Sequence, residues 1–398
     1  MVDLDRGRLA GSALRAHRRD HGRRPQDPDR RDQRGTNLNG DPRVEQYAKL
    51  LVGTCVDVQP GWQVLVNGSV LARPLLEAVS REIALCGAYA LQRVNLSGSR
   101  FDLPWVTAAP EELLDAPADI DAYAWQHADA LVAIEAPENT RELTALPDGR
   151  LARLQAGWRP HIERVLTMDL KWVGCQYPTP ALAQEAGMSL SQFEDFLYGA
   201  CLRDWEAERE RMERYAERFD AAEEVRLVAD GTDLTLSIAG RSTIVDAGGA
   251  NMPGGEFFTS PVEDSAEGEI VFSEYPAVHL GREVPGVRLR FERGVVVDAS
   301  AEANEEFLHE QLDRDEGARR LGELGIGCNP GITRHMKNTL FDEKMDGTVH
   351  LALGNGLPDV GGTNQSQLHW DIVKEMRRDG SRIELDGEIF QAGGVWQL

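Results

Sequence analysis

The sequence predicts an α/β N-terminal domain with a mostly parallel sheet, followed by a β-rich α+β C-terminal domain that carries a metal site. Three observations lead there. Up to about residue 225, short apolar strands alternate with helical periods, the pattern of right-handed crossovers in a parallel sheet. After Val225 the apolar residues alternate with period two and the chain turns in hairpins. The chain has 398 residues, 41% of them hydrophobic, which suits two cores better than one. The expected layout is an extension over 1–40, an α/β domain over 41–225 and a metal-binding catalytic domain over 226–398.

Asp41-Pro42 opens a helix from Val44 to Val52, with Val44, Tyr47, Leu50 and Leu51 on one face. Gln59-Pro60-Gly61 is a turn, and Trp62 to Val66 a buried strand. Val70 to Cys86 is a helix that turns Leu75, Leu76, Val79 and Ile83 inward. Ala88 to Val94, Asp129 to Ala136 and Lys171 to Cys175 are further strands. The first strand lacks a following G-x-G-x-x-G, so a dinucleotide site has no support. Ser189 caps a helix with Phe193, Phe196, Leu197 and Cys201 on one face. Asp204 to Ala222 reads as a charged helix facing solvent. Beyond the boundary, Leu234, Leu236 and Ile238 alternate with Thr235 and Ser237. Val287, Leu289 and Phe291 alternate with Arg288 and Arg290, and Arg293-Gly294 turns that strand into Val295-Val296-Val297.

Charge narrows the partners. There are 43 Lys+Arg against 66 Asp+Glu, a net of −23, which repels phosphate backbones and anionic lipid. Nucleic acid and membrane are therefore not expected partners. No apolar run approaches the roughly 18 residues of a membrane helix. Five scattered cysteines without a Cys-x-x-Cys pair suit a reducing cytoplasm. The first 40 residues differ from the rest, with ten Arg, six Asp and a net of +4. They lack the apolar segment of a secretory signal and are too acidic for a transit peptide. They read as a disordered extension or an early start, and an Arg-rich arm for a partner is the functional alternative.

The candidate chemistry lies in the last 150 residues or so. In a strand, His369 and Asp371 project from one face while Trp370 packs behind, and an imidazole beside a carboxylate suits a divalent metal. His350 stands alone in an apolar strand, Gly347 to Gly354, where a satisfied core histidine is the plainer reading. Glu256 follows a turn before Phe257-Phe258, Glu323 enters a glycine-rich turn, and Glu343 precedes the His350 strand. Taken singly, each glutamate is a solvated charge or a helix cap. Together, two histidines and four carboxylates are an inventory for a dinuclear site.

Several stretches then resemble the thermophilic metallo-aminopeptidases, the aminopeptidases T and S. They are Asn251-Met252-Pro253-Gly254-Gly255-Glu256-Phe257-Phe258-Thr259-Ser260-Pro261-Val262-Glu263, Glu323-Leu324-Gly325-Ile326-Gly327-Cys328-Asn329-Pro330-Gly331-Ile332, Leu340-Phe341-Asp342-Glu343-Lys344 with the His350 strand, and Gly361-Gly362 with Ser366 to Asp371. The likeness extends to Pro178 through Leu190 and covers about 41–398. It implies a homodimeric, two-domain exopeptidase acting on peptides with a free N-terminus. It implies two divalent ions (Zn, Co, Mn or Mg) held by Glu256, Glu323, Glu343, His350, His369 and Asp371, with Glu323 bridging them or acting as general base. The family's tyrosine seven residues after the histidine of this strand is Leu357 here. A related group of ring-opening dihydroxypyridine dioxygenases, with one iron on two His and an Asp, is the alternative, to which His350, His369 and Asp371 would be equally suited. A catalytically impaired homologue is the other.

Overall fold

The parallel sheet of the first half is built around Gln63–Ser69, where Val64 and Val66 point to one face and Leu65 to the other. Both faces are covered, as a parallel sheet requires. Val64 and Val66 meet Leu75, Leu76, Val79 and Ile83 of the helix Arg73–Leu85, while Leu65 joins Leu131 and Leu170 behind. The strand order is Tyr89–Asn95, Gln63–Ser69, Ala130–Glu135, Lys171–Gln176 and Asn251–Met252, parallel throughout. The four predicted strands of this half are present within a few residues of their expected bounds. The fifth, Asn251–Met252, arrives from beyond residue 225 and is too short to show a period.

This computed structural model describes residues 40–96, 101–146, 149–166 and 169–397. The predicted extension, apart from Gly40, lies outside the described residues. Residues 41–398 form one compact unit. Asp41 caps the first helix by accepting from the Arg43 amide at 2.9 Å, and the helix Pro42–Lys49 runs on as a wider π-turn, Leu50–Cys55. Ser189 and Gln192 form a reciprocal capping box on Leu190–Cys201. A helix that the sequence pattern does not reveal, Arg150–Leu166, carries Pro160 in its interior.

The second half is antiparallel. An eight-stranded sheet runs from Val295–Ser300 at one edge to Val395–Trp396 at the other. A five-stranded sheet has the order His369–Glu375, Thr348–Gly354, Leu321–Gly327, Glu256–Thr259, Ile244–Asp246. Behind this second sheet lies Trp205–Asp220. The expectation that this helix simply faces solvent is corrected. Trp205, Met212, Tyr215, Ala216 and Phe219 form a buried stripe, and the Phe219 ring stands 5.0 Å from that of Phe257 in the sheet. Its many Glu and Arg residues hide an ordinary amphipathic period. Among the described residues no helix is long and apolar enough to cross a membrane, and all five cysteines are free.

Candidate metal centre

Strand register assembles the centre. Glu256 pairs with Gly327, Gly325 with His350, Ala352 with Asp371, and Gly354 with His369. Directly paired residues share a face, and so do residues two apart along a strand. Glu256, Glu323, His350, His369 and Asp371 therefore stand on one side of the five-stranded sheet. Leu324, Ile326, Val349, Leu351, Leu353, Trp370 and Ile372 fill the core on the other. The glycine-rich turn expected after Glu323 is instead a fully buried strand, Leu321–Gly327. Gly325 and Gly327 follow Glu323 on the site face. A Cβ on Gly325 would lie 2.0 Å from His350 Nε2, so this position must be bare for the imidazole to lie across it.

The geometry centres on Glu323. Its Oε1 is 3.3 Å from His350 Nε2, and its Oε2 is 3.3 Å from His369 Nε2. His350 Nε2 is also 3.5 Å from Glu256 Oε2, and His369 Nε2 is 3.6 Å from Asp371 Oδ2. Glu323, His350 and Asp371 each offer a ligand atom within 4.8 Å of the others. Glu256, Glu323 and His350 are 5%, 7% and 1% exposed, which overturns the solvated-charge reading of the two glutamates. His369 is the exposed member, so the site opens there; its Nδ1 lies 3.2 Å from the Asn355 carbonyl, which orients the ring. Glu343 follows the short helix Thr339–Asp342 and reaches the cluster through Lys344.

Burial opposes a charged His350, yet the bond to Glu323 and the charges of Glu256 and Asp371 outweigh it and raise the imidazole to about 9. His369 is raised to about 10 against burial by the charge of Asp371 and the bond to Glu323. Burial pushes Glu323 up, but the two imidazoles prevail and hold it below the usual carboxylate range. Burial raises Glu256, Glu343 and Asp371. Imidazoles and carboxylates thus favour each other's charged forms, and the buried Lys344 adds a further cation beside Glu256 and Glu343.

The donor set fits a divalent metal. Glu256 Oε2 and Asp371 Oδ1 are buried without a hydrogen-bond partner. An orphaned carboxylate oxygen is costly unless something cationic meets it. A mixture of carboxylates and imidazoles suits a hard-to-borderline divalent cation. Leu357 lies half-buried on the loop between the strands of His350 and His369, where its amide donates to Ser260 Oγ at 3.0 Å.

Two residues of the site were not singled out by sequence reasoning. Lys344 is fully buried, with Nζ 2.9 Å from Glu256 Oε1 and in close contact with Glu343 Oε1. Asp246, register partner of Glu256, is buried and accepts from the amides of Gly248 and Gly249. The first sits in Asp342-Glu343-Lys344-Met345-Asp346, a charged run that reads as a solvated turn. Nothing local pointed to the second.

The chain is 29% identical over 395 residues to aminopeptidase T of Thermus thermophilus, covering 85% of this chain and 94% of that one. It is 28% identical over 408 residues to aminopeptidase 2 of Geobacillus stearothermophilus, covering 88% and 97%. The solved structure of wild-type AmpT from Thermus thermophilus superposes with a TM-score of 0.78 at 25% identity, over 90% of this chain and 99% of the other. A 2,5-dihydroxypyridine dioxygenase from Pseudomonas putida KT2440 shares the fold, with a TM-score of 0.57 at 15% identity over 89% and 96%. The model of the thermophilic metalloprotease family M29 matches residues 40–395, and the chain belongs to that family.

Proposed function

We propose that the protein is an aminopeptidase that releases N-terminal residues from peptides, with two divalent ions held by Glu256, Glu323, Glu343, His350, His369 and Asp371. One observation carries this reading: the two oxygens of Glu323 face two different imidazoles, the placement of a carboxylate shared between neighbouring cation sites. When bound, such ions polarise a scissile carbonyl and lower the pKa of water, to ~7 in favourable zinc sites. Glu323 would be shared between the two ions, or would serve as the base that accepts a proton from water. The carboxylates at the floor attract the α-ammonium of an unblocked peptide, which confines cleavage to the N-terminus. The exposed edge at His369 admits substrate. Division of labour follows the boundary near residue 225, with every ligand on the later side.

A single-iron dioxygenase uses two His and an Asp; it leaves the buried Glu256 and Glu323 without a task, so the hydrolase reading is preferred. The free cysteines suit a cytoplasmic enzyme, and the family resemblance a homodimer. The test is metal analysis together with hydrolysis of aminoacyl-nitroanilides and dipeptides. We expect two Zn, Co or Mn per chain, activity lost on exhaustive chelation and restored by those ions, and N-acetylated peptides left uncut. Full activity after chelation, or efficient cleavage of blocked peptides, would overturn the assignment.

A further inference from the structure

Lys344 is the unusual group of the site. A lysine with no exposed surface needs partners close at hand, and here both are carboxylates. Its Nζ is 2.9 Å from Glu256 Oε1 and touches Glu343 Oε1. The other oxygen of Glu256, Oε2, has no hydrogen-bond partner and faces His350 Nε2 at 3.5 Å. The lysine is fixed from its backbone outward. Its amide donates to the Phe341 carbonyl at 3.1 Å, and its own carbonyl accepts from the Asn329 amide at 2.8 Å. Gly327 lets the segment come close: a Cβ there would lie 2.1 Å from the Met345 carbonyl and 2.9 Å from the Lys344 carbonyl carbon.

We propose that Lys344 is a positioning residue that occupies one oxygen of Glu256 and one of Glu343, so that each carboxylate offers a single oxygen to a metal ion. This rests on the reading of Glu256 and Glu343 as ligands. A carboxylate with both oxygens free can close on a cation as a two-oxygen clamp, as in calcium sites. An ammonium anchored on one oxygen forbids the clamp and keeps coordination positions open, which a hydrolytic metal needs for water and substrate. A lysine present only to neutralise buried charge would have no such effect on ligand geometry.

The test is structural and independent of turnover. Wild-type protein is loaded with Zn²⁺ or Co²⁺, and the ligand oxygens are identified by crystallography and counted by X-ray absorption. Glu256 and Glu343 should each bind through one oxygen, with Nζ retained on the other. In Lys344→Met loaded with the same metal, the freed oxygens should turn inward and the first-shell oxygen count should rise. Two-oxygen ligation by either glutamate in the wild type overturns the inference while leaving the metal assignment standing. An unchanged oxygen count in a folded, loaded Lys344→Met overturns it too. If that variant does not fold, the wild-type arm decides alone. Wild-type protein that takes up no metal overturns the ligand reading and this inference with it.

Discussion

The strand Gln63–Ser69, inside the parallel sheet, and two strands inside the site sheet are all enclosed at their middles. Val64, Leu65 and Val66 have no exposed surface, and every residue of Thr348–Gly354 and Leu321–Gly327 is buried. They differ in what occupies one of the two faces. Over Val64, Leu65 and Val66 both faces are apolar, and burial there is favourable by itself. In the site sheet Val349, Leu351 and Leu353 pack into the core, while the intervening positions hold an imidazole or next to nothing: His350, Ala352, Gly354. One face holds the sheet together and leaves the other free to carry groups that burial alone would destabilise.

The largest expected effect tests that separation directly. Ile134→Ala in the parallel sheet should cost ~2–5 kcal/mol of stability and leave kcat unchanged once the protein is folded. Glu323→Gln should lower kcat on a dipeptide by ~10³ or more with a much smaller fall in Tm. Calorimetry and steady-state kinetics on the two variants decide. Should Glu323→Gln keep its turnover, or Ile134→Ala lose it in the folded state, the two regions do not divide the work this way.

A smaller effect is expected from a single methyl group. Gly325→Ala places a Cβ where His350 Nε2 now lies, so the ring must move. Metal affinity measured by equilibrium dialysis should fall ~10–100-fold, the scale on which support for a ligand matters. Gly53→Ala, whose Cβ meets nothing within 4 Å, is the control and should leave affinity unchanged. Equal affinities in both variants would mean that the bare position is unrelated to the imidazole.

The smallest effect concerns Leu357, which stands where the resembled family has tyrosine. If a phenol there donates to charge developing in the transition state, Leu357→Tyr should raise kcat on peptides ~10-fold with little change in KM. The pocket was shaped around leucine, which limits the gain. An unchanged or lower kcat with both metals bound would refute the donor account.

The sequence made the four main parallel strands, the 189–201 helix cap and the projection of His369 with Asp371 legible because each is a local pattern. It could not show that Glu256 and Glu323 are buried, since a glutamate beside glycines looks the same on a surface turn. Only register places Gly327 opposite Glu256 and Gly325 opposite His350, and register is a property of strand pairs far apart in the chain. Asn251–Met252 joins the parallel sheet through two residues, too few for any period. The apolar stripe of Trp205–Asp220 was obscured because charged residues outnumber it. Lys344 lies beside Glu343 in the chain, but its other partner, Glu256, arrives from a distant strand.

Because alternate residues face opposite ways, the centre doubles as a gauge of whether the strands have paired correctly. Sliding Thr348–Gly354 by one residue would present Val349 or Leu351 where His350 stands, and would drive the imidazole among Leu324, Ile326 and Ile372. The same slip in Leu321–Gly327 would bury Glu323 in hydrocarbon. Misaligned chains therefore lose the cation-binding cluster and incur stranded charge in a single step. An ion that binds only the aligned sheet removes those chains by mass action, so metal supply during synthesis would influence the yield of correctly assembled protein as well as the rate of the finished one.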